Sequence, residues 1–224
     1  MKKIALGMAA CGLLIAASAH AEIAVYAKAG TLGIGGGVAA SITDSINVRG
    51  EYTALGVSPS NISTDDVTYK PDLDLRAGAL LLDWHPFSGT FRLTGGLVAN
   101  GNQLKVKGEP VAGSTYTING QTYTSAQIGS LDGKIDFNST APYLGIGWGN
   151  ALDKTGHFTF LADIGVMFQG SPKVKLNATC GSAVSPSQCA QIAGNVAAEE
   201  NKLEDEVSDY KYWPVLSLGV GYRF

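Results

Sequence analysis

The side chains that could do chemistry are few, and their spacing argues against a catalyst. Past the N-terminal segment the chain has two histidines, His85 and His157, and no Ser-His-Asp spacing supports either. Acyl transfer, phospholipid hydrolysis and proteolysis need a nucleophile with a base in reach. His85 lies in Trp84-His85-Pro86-Phe87, which reads as a turn with its backbone fixed by proline. The carboxylate pairs Asp65-Asp66 and Asp72/Asp74 read as solvated or salt-bridged groups. Gly33-Ile-Gly-Gly-Gly37 lacks the lysine and the following helix of a phosphate-binding loop. The chain is therefore read as a non-enzyme, with no catalytic residue, no metal site and no cofactor assigned.

Cysteine chemistry is structural in this reading. Cys180 and Cys189 stand nine apart in the polar segment Cys180-Gly-Ser-Ala-Val-Ser-Pro-Ser-Gln-Cys189, with no histidine nearby. In an exported protein such a pair closes a local disulfide loop. Export is indicated by the start of the chain: Met1-Lys2-Lys3 is basic, Ile4 to Ala17 is apolar, and Ala19-His20-Ala21 is a small-x-small cleavage site. The apolar run is shorter than the ~20 residues of a membrane-spanning helix. Residues 1–21 are thus expected to be a signal peptide and residues 22–224 the mature domain. Loss of Lys2 and Lys3 takes 16 basic residues to 14 against 19 acidic ones, a net charge of −5, so nucleic acid is not an expected partner.

The remaining charges follow a pattern that only strands can produce. From Tyr210 to Phe224 the even positions, including Leu216, Leu218, Val220, Tyr222 and Phe224, are apolar or aromatic, while the odd positions are polar, small or mixed. A period of two is a strand with one greasy and one polar face. Ending on an aromatic residue, it resembles the closing strand of outer-membrane barrels, the signal read by the barrel-assembly machinery. Five further segments alternate in the same way: Ser45–Leu55, Asp72–Trp84, Thr90–Asn102, Ala141–Gly149 and His157–Gly170. Residues 22–42 supply either two short strands or one long one. Bacterial barrels use even strand numbers, which favours two and a total of eight.

Short turns at Thr43–Ser45, His85–Gly89 and Asn150–Gly156 alternate with long loops at Gly56–Thr68, Gln103–Lys134 and Ser171–Ser208. That asymmetry is the periplasmic and extracellular arrangement of an outer-membrane barrel. Trp84, Phe91, Trp148, Phe158, Phe160, Tyr222 and Phe224 gather at the short-turn ends, and Tyr52, Phe168, Tyr210 and Tyr212 at the long-loop ends, as two interfacial belts would. In the loops, Asn119-Gly120 between β-prone arms signals a hairpin, and Ala190–Val207 reads as an acidic helix on the rim. The fold class is all-β, an eight-stranded antiparallel transmembrane β-barrel with long extracellular loops, in contact with outer-membrane lipid.

Phased this way, Arg49, Glu51, Asp74, Arg76, Arg92, Asp163, Lys211 and Arg223 fall on the non-apolar strand faces and are the expected lumen lining. Asp83 breaks the alternation beside a turn. A lumen this narrow favours paired charges. Such charges form either a plug or a constriction that grips both ends of a zwitterion.

Three stretches resemble the CarO-type family of small outer-membrane proteins: Ala141-Pro-Tyr-Leu-Gly-Ile-Gly-Trp148, Gly170-Ser-Pro-Lys-Val-Lys-Leu176, and Tyr210-Lys-Tyr-Trp-Pro-Val-Leu-Ser-Leu-Gly-Val-Gly-Tyr-Arg-Phe224. The family is known as ornithine-uptake porins linked to carbapenem permeability. The resemblance implies an outer-membrane channel for small hydrophilic or zwitterionic, amino-acid-like solutes. The alternative is a closed structural or adhesive barrel whose extracellular loops bind ligands. Oligomeric state is left open.

Overall fold

The structure, a computed structural model, describes residues 22–224 apart from Asp65, Thr155 and Ala183, with the backbone alone at Tyr116. The expected leader, with Ala19 and Ala21, lies outside the described residues. Fourteen strands and one helix form among the described residues. They are β1 Ile23–Gly30, β2 Gly33–Thr43, β3 Ile46–Val57, β4 Ile62–Ser63, β5 Val67–Trp84, β6 Phe91–Asn100, β7 Gln103–Pro110 and β8 Thr115–Ile118. Next come β9 Gln121–Thr124, β10 Ile128–Asp136, β11 Thr140–Trp148, β12 Phe158–Phe168, β13 Lys173–Cys180, α1 Pro186–Val207 and β14 Tyr212–Arg223.

Eight of these strands close an antiparallel ring in the order β1, β2, β3, β5, β6, β11, β12, β14, and β14 pairs back onto β1. Closure leaves no unpaired strand edge, the condition for a sheet to sit in lipid. Residues 22–42 form two strands joined at Thr31–Leu32. Gly33 after that turn has φ +105°, and a Cβ there would lie 2.7 Å from the Ala54 backbone, so glycine is required. Outward positions carry large apolar side chains open to the surroundings: Leu218 is 71% exposed and Phe160 82%. Water would make such a belt costly at ~25 cal/mol per Å², whereas lipid makes it the stable arrangement. Aromatic contacts mark both rims: Phe91–Trp148, Phe158–Tyr222 and Tyr222–Phe224 at the short-turn end, and Phe168–Tyr212 at the other.

On the extracellular side the long loops are not irregular. β5 runs 18 residues, so its first half projects beyond the ring and templates three more strands, β7, β10 and β13. The alternation in Gln103-Leu104-Lys105-Val106-Lys107-Gly108 is a strand pattern whose partner is this projecting half. The inner face of the extension is apolar. It is covered by the β8–β9 hairpin, with Asn119 at φ +48° and Gly120 at φ +74°, and by α1.

Helix α1 starts at a capping box between Ser185 and Gln188 and buries Ile192 and Val196 against Ile118 and Ile128. The Cys180–Cys189 disulfide ties its first turn to β13. The acidic face of α1 is not simply solvated. Glu200 and Glu204 accept the backbone N–H groups of Leu176 and Val174 at 2.7 and 3.4 Å, and thereby cover the free edge of β13. Glu199 accepts the Asn119 N–H at 3.0 Å and anchors the hairpin.

Candidate functional site

Strand pleating delivers side chains from six strands into the middle of the ring. β1 brings Lys28, β3 Arg49 and Glu51, β5 Asp83, β6 Arg92 and Thr94, β12 Asp163 and β14 Ser217. Room for them comes from glycines on the neighbouring strands. A Cβ on Gly147 would lie 2.7 Å from the Arg92 guanidinium carbon, and one on Gly145 or Gly165 would overlap the Tyr143 hydroxyl.

The charges form a continuous network. Arg49 lies 2.6 Å from Asp83 and 3.1 Å from Asp163, and Arg92 lies 2.7 Å from Asp163 and 3.7 Å from Asp83. Lys28 is 2.9 Å from Glu51, whose other oxygen accepts from the Tyr26 hydroxyl at 2.7 Å. Thr94 donates to Asp83 at 2.7 Å, Ser217 donates to Asp163 at 3.3 Å, and Arg92 also donates to the Gly149 carbonyl. Three cations, Lys28, Arg49 and Arg92, thus face three anions, Glu51, Asp83 and Asp163, all buried. Buried charges are tolerable only when paired and hydrogen-bonded on this scale.

Apolar layers close both sides of the network. Towards the periplasm, Ala151 and Leu152 of the β11–β12 turn pack with Ala24, Tyr26, Ala39 and Leu161. Towards the outside, Leu32, Leu81, Val98, Tyr143, Met167 and Val215 form the second layer. The space between this layer and the charges is about 10 Å³, enough for one water. Above it, Asn100 Nδ2, Asn102 Nδ2, Gln169 Oε1 and Trp213 Nε1 are buried without a hydrogen-bond partner among the described residues. A second cavity, of about 240 Å³, lies outside the ring. The extension sheet floors it with Val67, Tyr69, Val106 and Leu131, and Ile118 of the hairpin roofs it.

Of the residues expected in the lumen, Arg49, Glu51, Arg92 and Asp163 meet in this network. Asp74 and Arg76 do not. They lie on the outer face of β5 and pair with each other at 2.7 Å, with the Arg76 side chain 60% exposed. The expected phase of β5 is inverted: Leu75, Ala77 and Leu81 point inward with Asp83, while Leu80, Leu82 and Trp84 face lipid. Asp83, taken as a break in alternation, belongs to the lumen. The signal that could have found it is Leu80-x-Leu82-x-Trp84, an apolar, aromatic-ended face that leaves Asp83 on the other. Lys211 is a further correction, because it sits exposed before β14 begins, where the pleat no longer aims it inward. Arg223 keeps inward parity at the periplasmic end and is half-buried. The histidines serve turns. Burial lowers the His85 pKa, and its ring bridges Asn47 Nδ2 at 3.3 Å and the Gly89 carbonyl at 3.0 Å. His157 stacks on Tyr222.

Two solved structures from Acinetobacter baumannii are similar to this chain. CarO2 is 19% identical with a TM-score of 0.58, covering 91% of this chain and 98% of that one. CarO is 21% identical with a TM-score of 0.56, covering 90% and 97%. The fold is that of CarO. No family model matches the sequence, and no curated relative matches it. The eight-stranded ring, wrapped in an apolar belt suited to lipid, makes the chain a membrane-spanning barrel with the fold of these outer-membrane proteins.

Proposed function

We propose that the chain is a closed outer-membrane barrel that holds a ligand-binding dome outside the cell. The observation that carries this reading is the packed lumen: a charge-balanced network between two apolar layers, with space for one water. Moving a solute through it would mean breaking several buried ion pairs at once, each leaving a charge uncompensated. The dome supports the positive half of the reading, since its 240 Å³ cavity is lined by side chains without charge, suited to a small apolar molecule. Reconstitution in planar bilayers tests the closed state. The expected result is a flat current trace and no amino-acid flux into liposomes, and discrete conductance steps would overturn it.

A second reading, passage of zwitterionic solutes, is favoured by one specific observation. The unpaired polar atoms of Asn100, Asn102, Gln169 and Trp213 gather at the extracellular mouth above a constriction of both charge signs. A solute bearing an ammonium and a carboxylate matches that chemistry, provided that the network opens.

A further inference from the structure

The outer face of the extension sheet carries an arrangement that costs stability in isolation. Lys134 of β10 stands directly opposite Lys105 of β7 on one side and Lys175 of β13 on the other. Like charges opposite one another on adjacent strands are destabilising. Lys134 has Asp136 at 2.7 Å, but Lys105 and Lys175 have no carboxylate within 4.0 Å among the described residues. Asp72, opposite Lys105, is turned to the Ser58 hydroxyl at 3.0 Å. Lys70 and Lys107 share the carboxylate of Glu109, at 2.6 and 3.0 Å, and Asp132 stands opposite Lys107. Lys173 adds a sixth ammonium to the same face. Six of the 14 cationic side chains beyond residue 21 are therefore gathered on one sheet face, against the four carboxylates of Asp72, Glu109, Asp132 and Asp136.

Position gives this face its ligand. Arg76 marks where the outer face of β5 leaves the apolar belt, and Lys105 pairs with Asp72, four residues further out. At ~3.3 Å per residue that is about 13 Å along the strand. With a tilt of ~35–45° it is about 10 Å in height, at the outer edge of the polar headgroup layer. The lysine row crosses the strands, so with that tilt it is inclined to the membrane surface and spans about 6 Å of height over its two strand spacings. The inner face of the same sheet is covered by α1 and the hairpin, which leaves this face free.

We propose that the row Lys105, Lys134, Lys175 binds the phosphate groups of outer-leaflet glycolipid, with Lys107 and Lys173 at its flanks. The inference rests on the lipid-facing belt and is independent of whether the lumen conducts. Bound phosphate places negative charge between ammonium groups that otherwise repel, and lipids are held at high local concentration at that depth.

The test uses the full barrel in detergent, titrated with a bis-phosphorylated glycolipid or with its dephosphorylated form and read by native mass spectrometry. The barrel is expected to retain the phosphorylated form, with affinity lowered on the order of 100-fold in K105Q/K134Q/K175Q and kept in the all-arginine variant. Altered gel migration on boiling checks that each variant folds. In lipid-free detergent the glutamine variant is expected to melt above the parent, because a repulsion has been removed. Equal retention of the two glycolipids, unchanged retention by the glutamine variant, or a lowered melting temperature would overturn the proposal. Stabilisation by inorganic phosphate equal to that by the glycolipid would overturn the lipid assignment.

Discussion

The two halves of β5 obey opposite rules. From Ala77 to Trp84 the strand belongs to the ring, with Leu80, Leu82 and Trp84 facing lipid and Asp83 facing the lumen. From Val67 to Asp74 it belongs to the extension, with Val67 and Tyr69 lining the interior cavity while Lys70, Asp72 and Asp74 face out. The backbone pleat is unbroken across the junction, so the same face turns from greasy to charged within four residues, from Leu80 to Arg76. What changes is the solvent. Lipid draws apolar side chains outward in the lower half, and water drives them inward in the upper half.

The comparison breaks most sharply at the buried carboxylate. Asp83→Ala leaves Arg49 and Arg92 short of a partner inside the ring, and removal of one member of a buried pair costs about 3–5 kcal/mol. Asp72→Ala on the upper half removes an exposed carboxylate and is expected to stay within about 0.5 kcal/mol. Urea titration of the two variants in lipid vesicles measures both. Equal costs would mean that the lumen network is solvated.

A smaller effect separates the halves along a single face. Leu80→Arg puts a cation in the lipid belt at a cost of ~2–4 kcal/mol near the midplane. Arg76→Leu, one turn of the pleat beyond the belt on the same face, is expected to change stability by about 0.5 kcal/mol or less. The readout is again folding into vesicles. A gain of comparable size at Arg76 would extend the lipid boundary up to Asp74.

This switch of solvent explains what could be read from the sequence. Strands lying wholly in the ring, such as β6, β11, β12 and β14, alternate under one rule, and the expected facing of Arg92, Asp163 and Leu218 is the observed one. β5 obeys two rules, and the apolar alternation Leu73, Leu75, Ala77, Ala79, Leu81 runs across the junction between them. Reading that alternation as the lipid face sends Asp74 and Arg76 inward and leaves Asp83 as an anomaly. The Cys180–Cys189 disulfide and the Asn119-Gly120 hairpin are local in sequence and were legible. The extension sheet was not. Its strands β7, β10 and β13 depend on a template supplied by the projecting half of β5, and no local periodicity reveals that partner.

The smallest effect contrasts the two ends of β5. Its upper end opens into exposed Asp66, whereas its lower end runs into His85, buried in the periplasmic turn. Burial holds the His85 imidazole below its ordinary value of 6.5, because desolvation penalises the charged form. The neutral ring donates from Nδ1 to the Gly89 carbonyl and accepts from Asn47 at Nε2. The unfolded chain takes up the proton near pH 6.5, while the folded chain resists it. The unfolded state therefore binds more protons as pH falls, and stability is lost below about 6.5 and present in full above it. His85→Gln retains an acceptor and a donor without the titration, so its stability should lose this pH dependence between 5 and 7.5 in vesicle unfolding experiments. A slope unchanged in the glutamine variant would assign the acid sensitivity to the lumen carboxylates instead, moving it from the turn to the ring.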